Sequence, residues 1–65
     1  MWVVYRKEHD SKFNDEAYWT GDITTTGIPA KSVDLRKAIG FQTAREAYNA
    51  AGATSRMDWW KVGSR

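Results

Sequence analysis

Residues typical of β-strands cluster near both ends of the chain. Trp2–Arg6 is rich in β-branched and aromatic residues, which predicts a first strand. The polar segment 8–15 predicts a loop, and Glu16–Thr20 resumes strand character before Gly21. We therefore expect the first two strands to form an antiparallel hairpin. A last strand is predicted over Met57–Val62.

The main helix is predicted by a capping box at Thr43 and Glu46. In this motif the hydroxyl and the carboxylate three residues later each accept a hydrogen bond from an otherwise unpaired backbone N–H group. The helix is predicted to run through Ala51 and to stop at Gly52. Its mostly alanine face should lie close against a sheet, with a tyrosine as the one large anchor. The residues of that face are Ala44, Ala47, Tyr48 and Ala51.

The middle of the chain carries weaker patterns. Gly27 and Pro29 interrupt the strand-like threonines of segment 23–31, which predicts an irregular connection. A short helix follows, capped by Ser32 or Asp34. Its predicted residues include Leu35, Ala38 and Ile39, before a terminating Gly40.

The order of these elements predicts an α+β fold. We expect a small antiparallel sheet of three to four strands, the fourth being a brief strand at 39–41, with one main helix and one short helix packed on one face. Residues 1–65 should form a single domain, because so short a chain buries only about 60% of the surface that its unfolded form exposes.

Alternation along the strands assigns side chains to two faces of the sheet. The face packed against the helix is predicted to carry Trp2, Val4, Ala17, Trp19, Trp60 and Val62. The opposite face interleaves aromatic rings with lysines, which is typical of a binding surface. Its predicted residues are Val3, Tyr5, Lys7, Tyr18, Thr20, Trp59 and Lys61, with Arg6, Arg56 and Arg65 near its edges.

Composition narrows the function classes. The absence of cysteine excludes disulfides and thiolate zinc sites, and favours a reducing, cytoplasmic setting. A formal net charge of +2 does not by itself indicate nucleic acid. The apolar runs are too short for a membrane span, and the first residues lack the features of a signal peptide, so we expect no membrane partner.

Candidate chemistry is sparse. His9 is the single histidine and lies beside Asp10 without converging partners, which argues against catalysis. Segment 10–16 departs from a calcium loop because Lys12 occupies a ligand position and the turn glycine is missing. No glycine-rich phosphate loop follows a strand. We therefore predict that the chain is not an enzyme and has no catalytic residues, metal site or cofactor.

Binding remains as the predicted activity, with two interpretations of the aromatic and basic face. In the first, the rings anchor a partner protein and the lysines form the rim of the interface. In the alternative, the rings stack on bases while the lysines and an arginine hold phosphates of a nucleic acid. A homodimer that covers this face would also explain its composition. The candidate binding residues are Tyr5, Arg6, Lys7, Tyr18, Trp59 and Lys61.

The C-terminal half resembles small accessory proteins of tailed bacteriophages. The similar residues are Phe41–Ala47 with Ala50 and Ala51, followed by Trp60–Val62. Such proteins are often host-takeover or anti-defence factors that bind and inhibit a bacterial protein. The resemblance implies a host protein as the partner and the cytoplasm of a bacterial host as the location.

The helix is also similar to that of plant-type AP2 DNA-binding domains. Those domains place three strands before a Phe-x-Thr-x-x-Glu-Ala helix, matched here by Phe41, Thr43, Glu46 and Ala47, and read DNA with the sheet. Their arginine-rich first strand and the Trp-Leu-Gly run before the helix are absent here, and a strand-like segment follows the helix. The similarity serves as an analogy for the nucleic-acid alternative.

Overall fold

An antiparallel sheet with a helix on one face forms the described part of the chain. The computed structural model describes residues 1–7, 16–54, 57 and 59–65. Its strands are β1 (Trp2–Lys7), β2 (Glu16–Ile23), β3 (Pro29–Ser32) and β4 (Lys61–Ser64), its helix α1 spans Ala44–Gly52, and a 3₁₀ turn spans Leu35–Lys37. The strand order is β3-β2-β1-β4, with every neighbouring pair antiparallel. The predicted α+β class is confirmed.

The first two strands pair as the sequence predicts. Tyr5 lies opposite Tyr18 and Lys7 opposite Glu16, so these side chains share one face of the sheet. The predicted loop at 8–15, with His9, lies outside the described residues. Arg56 lies outside them as well.

The segment predicted to be an irregular connection instead forms a hairpin, so that prediction is wrong. The amide of Thr24 donates to the carbonyl of Ile28 at 2.8 Å, and Gly27 adopts a φ of 80°, which a glycine tolerates without strain. Pro29 then begins β3. Proline is compatible with this position because β3 lies at the edge of the sheet, where one side of the strand needs no ladder hydrogen bonds.

Segment 39–41 contributes single backbone contacts in place of the predicted brief strand. The amide of Ile39 donates to the carbonyl of Trp19 at 3.0 Å, and Trp2 and Phe41 exchange both of their backbone hydrogen bonds. In the ladder between β1 and β2, the residues of β1 are paired only from Tyr5 onward. Segment 39–41 therefore supplies backbone partners for Trp2 and Trp19 next to that ladder. The predicted short helix is likewise reduced to the 3₁₀ turn, although Asp34 caps it as expected.

The helix begins where the capping box predicts. The hydroxyl of Thr43 accepts a hydrogen bond from the amide of Glu46 at 3.2 Å, and α1 ends at Gly52. Ala47 is fully buried, but Tyr48 is 63% exposed, so its predicted role as an anchor is wrong. The large rings of the core come from β1, from β2 and from the segments before α1 and before β4, and the helix supplies the small side chains that allow a close approach.

The core lies between α1 and the sheet. Its buried cluster consists of Val4, Trp19, Ala47 and Met57, against which Trp2, Ile39, Phe41, Ala50, Ala51, Trp60 and Val62 pack. The residues predicted to face the helix pack here, apart from Ala17. Ala17 is buried but does not belong to this cluster. The period of two along the strands therefore assigns the core face correctly.

We expect Ala47→Leu to lower the free energy of unfolding by about 1–3 kcal/mol, because added methyl groups must fit between the helix and the tryptophan rings. Urea unfolding followed by tryptophan fluorescence measures the change. Asn49→Leu is the matched control on the exposed side of α1, and should alter stability by no more than about 0.5 kcal/mol. Equal losses in the two variants would contradict a close helix approach at Ala47.

Candidate partner-binding groove

Trp59 occupies the tip of a tight turn. The amide of Trp60 donates to the carbonyl of Met57 at 3.1 Å, which closes the turn. Met57 is buried and Trp60 packs against the core, whereas Trp59 is 84% exposed. The predicted strand over 57–62 is therefore wrong at its start, since β4 begins only at Lys61. The chain turns before β4 because Met57 and Trp60 both pack in the core.

A groove of about 310 Å³ opens beside this indole. The last residues paired between β1 and β4 are Tyr5 and Lys61, and β1 continues beyond them while the chain before β4 turns away. The groove is the space that opens where these two segments diverge. The residues that line it are Tyr5, Arg6, Lys7, Glu16, Trp59 and Lys61.

The groove brings together five of the six candidate residues predicted from the sequence; Tyr18 does not line it. Glu16 is the lining residue that sequence reasoning missed as a site residue. Glu16 lies opposite Lys7 in the ladder between β1 and β2, and the side chains of cross-strand partners share a face. This pairing is the signal that would have identified Glu16 as a site residue.

Arg65 crosses the sheet face that was predicted to be open. Its guanidinium lies 4.4 Å from the centroid of the Tyr5 ring. Its Nη2 donates to Oε1 of Glu16 at 2.7 Å, and its Nε donates to Oε2 at 3.1 Å. Tyr18 donates its hydroxyl to the same carboxylate at 3.2 Å. We call Tyr5, Glu16 and Arg65 the arginine clasp, which joins the end of β4 to the start of β2 across β1.

The clasp changes the predicted binding face. Val3 points away from the helix and is nevertheless fully buried, so its expected place on an open face is wrong. Its register partner Gly63 shows the cause, since a Cβ atom there would lie 2.7 Å from Cε1 of Tyr5 and 3.0 Å from Nη1 of Arg65. The Tyr5 ring and the guanidinium thus cover this part of the sheet, and Tyr5 is only partly exposed.

Arg6 approaches the groove from the helix side. It shares a face with Val4 by strand alternation, and its guanidinium carbon lies 5.7 Å from the centroid of the Trp60 ring. The expectation that it flanks the aromatic face is therefore corrected. Its cation–π contact with Trp60 places a positive charge in the lining of the same groove.

The charges of the groove are unbalanced. The hydrogen bond from Arg65 holds the pKa of Glu16 below its ordinary value of 4.5, against a smaller opposing effect of burial. Glu16 raises the pKa of Arg65 in return. Lys7 and Lys61 are exposed and form no ion pair within the described part of the chain. Among the described residues, the exposed charges beside Trp59 are therefore cationic.

No metal ligand set is present in the described ranges, because they contain no group of three His, Cys, Asp or Glu side chains close enough to hold an ion. Nor does any helix among these residues have the length and apolar character needed to cross a membrane. Comparisons with models of protein families, with curated proteins and with solved structures found no match. The groove is therefore interpreted from its own geometry.

We expect Glu16→Gln to lower the free energy of unfolding by about 0.5–1 kcal/mol near pH 7, because the clasp loses its charged acceptor. Since folding lowers the pKa of Glu16, its contribution is present above the ordinary value of 4.5 and is lost as the pH falls through the folded-state pKa. The difference between variant and wild type should therefore shrink in acid.

Urea unfolding at a series of pH values from about 7 down to about 2 measures this convergence. Asp22→Asn is the matched control, because Asp22 is exposed and forms no ion pair among the described residues. A stability difference for Glu16→Gln that stays constant down to the acid end would show that the carboxylate charge does not hold the clasp.

Proposed function

We propose that this chain is a small, non-enzymatic binding protein that grips a partner protein through the groove. Trp59 is the anchor, and Lys7 and Lys61 form the rim. The observation that carries the proposal is an indole that is 84% exposed at the tip of a turn whose two ends are held in the core. Tryptophan is among the residues that contribute most to protein interfaces.

The turn favours binding because the anchor is already in place. Burying such a ring contributes about 1.5–3 kcal/mol or more, yet the core of this small chain does not take it up. A residue whose backbone is already anchored before association needs less ordering when the partner binds. Both features support Trp59 as a contact residue for another molecule.

The lining of the groove supports binding over catalysis. Glu16 is the single carboxylate among the described lining residues, and two hydrogen bonds from Arg65 already engage it. General acid or base catalysis needs a titratable group that reaches the substrate with its proton exchangeable near neutral pH. A low pKa and an occupied carboxylate do not provide such a group.

A nucleic acid is the alternative partner, and the indole between two lysines is what favours it. Bases would need several stacking rings in a row. One face of Tyr5 is covered by Arg65, and Tyr18 does not line the groove, so Trp59 is the one open ring that the described residues offer there. The geometry therefore supports a protein partner better.

The bacterial setting of the proposal rests on a resemblance. The segment Phe41–Ala47 resembles phage accessory proteins, which often inhibit or modulate a protein of the bacterial host. In this part of the proposal the partner is a host protein of the bacterial cytoplasm. A lysate of bacterial cells is accordingly the first source in which to seek it.

We expect Trp59→Ala to weaken partner binding at least about tenfold, which is the loss typical of an interface anchor. Wild type and variants immobilised on beads would capture proteins from a bacterial lysate, with quantitative mass spectrometry as the readout. Calorimetry with the purified partner would give the affinities. Tyr48→Ala is the matched control, because Tyr48 is an exposed aromatic residue on α1, away from the groove.

Several outcomes would contradict the proposal. A partner retained equally by wild type and Trp59→Ala would show that the groove is not the contact site. Binding to a deoxythymidine oligonucleotide that weakens steeply with salt would favour the nucleic-acid alternative. Self-association that Trp59→Ala abolishes, measured by sedimentation, would identify a second copy of the chain as the occupant.

A further inference from the structure

The exposed charges that the described residues place at the rim of the groove have one sign. Lys61 lies opposite Tyr5 in the β1–β4 ladder, and Lys7 follows Tyr5 by two residues, so both lysines project from the same sheet face. Arg6 adds a third cation from the helix side of the groove. Glu16 carries the one negative charge among the described lining residues, and Arg65 pairs with it.

An apolar surface lies within this ring of charge. Trp59 is the most exposed large hydrophobic residue of the described chain, and Tyr5 also lines the groove. A ligand that matches both features has an apolar side chain on the indole and negative charges on either side. Complementary charges at an interface rim raise the association rate and select the partner.

We infer that the groove receives an acidic peptide segment of the partner, in which carboxylates face Lys7 and Lys61 and flank an apolar side chain that packs on Trp59. This inference rests on the proposed function and names the chemistry of the same site. It predicts that Lys7 and Lys61 make the affinity depend on the negative charge of the peptide. Trp59 instead contributes contact area to charged and uncharged peptides alike.

A row of phosphates is a poorer match to the same surface. Proteins that depend on phosphate contacts neutralise many charges along the strand. The groove offers two exposed lysines, a third cation already placed over Trp60, and one carboxylate, while the whole chain carries a formal net charge of +2. A short segment with a few carboxylates matches this small number of cations.

Two synthetic peptides test the inference. One contains leucine and phenylalanine flanked on both sides by glutamates, and the other replaces every glutamate with glutamine, which keeps the shape and removes the charge. Titration into ¹⁵N-labelled protein is followed by NMR through the indole N–H of Trp59 and the backbone amides of Lys7 and Lys61. The glutamate peptide should bind about fivefold more tightly, as expected for two exposed ion pairs.

Charge variants locate the effect. The double variant Lys7→Gln and Lys61→Gln should weaken the glutamate peptide about fivefold and leave the glutamine peptide unchanged. Lys37→Gln is the matched control, because Lys37 is exposed on the 3₁₀ turn outside the groove, and it should bind both peptides as wild type does. Trp59→Ala should weaken both peptides by the same factor.

Each contrary outcome has a distinct meaning. Equal affinities for the two peptides, or no effect of the double variant, overturn the acidic segment; loss of binding in Trp59→Ala would then still support the groove as a protein-binding site. No chemical-shift change with the glutamate peptide up to millimolar concentration also overturns the inference, and the lysate capture decides the proposed function separately. Tighter binding of a deoxythymidine oligonucleotide that depends on both lysines overturns it in favour of nucleic acid.

Discussion

The close approach of an alanine-lined helix to the tryptophan rings of the core is the contact on which the fold depends. A chain of 65 residues without cysteine has neither a disulfide nor a large aliphatic core to stabilise it. Trp19 is buried and Trp2 and Trp60 pack around it, with Ala47 fully buried opposite the sheet. Large rings fit on the strands because the helix face is small, and that complementarity holds the strands beneath α1.

The candidate groove follows from the same packing. Met57 and Trp60 are both used in the core, and the turn between them leaves Trp59 outside. Because Met57 and Trp60 both pack in the core, the backbone that carries the exposed indole is anchored on both sides. An exposed indole on an anchored turn, beside two exposed lysines that form no ion pair among the described residues, is the physical basis of the binding function proposed for this chain.

The second face of the sheet shows how a small domain covers a surface that has no helix over it. Arg65 places its guanidinium over the Tyr5 ring and pairs with Glu16, and Val3 is fully buried below this region. A planar guanidinium can cover an aromatic ring in this way while its N–H groups donate to a carboxylate. The clasp therefore reduces a predicted open platform to the groove that remains beside β4.

Local patterns in the sequence were sufficient for the first two strands, the Thr43 cap and the alternation of the strands, because each depends on backbone preferences and on neighbours along the chain. They also indicated most of the residues that line the groove. Other features depend on what lies opposite in space: the strand at Pro29, the exposure of Tyr48, the turn before Trp60 and the clasp of Arg65. The tertiary structure decided these, because a residue far along the chain becomes a neighbour only when the sheet has formed.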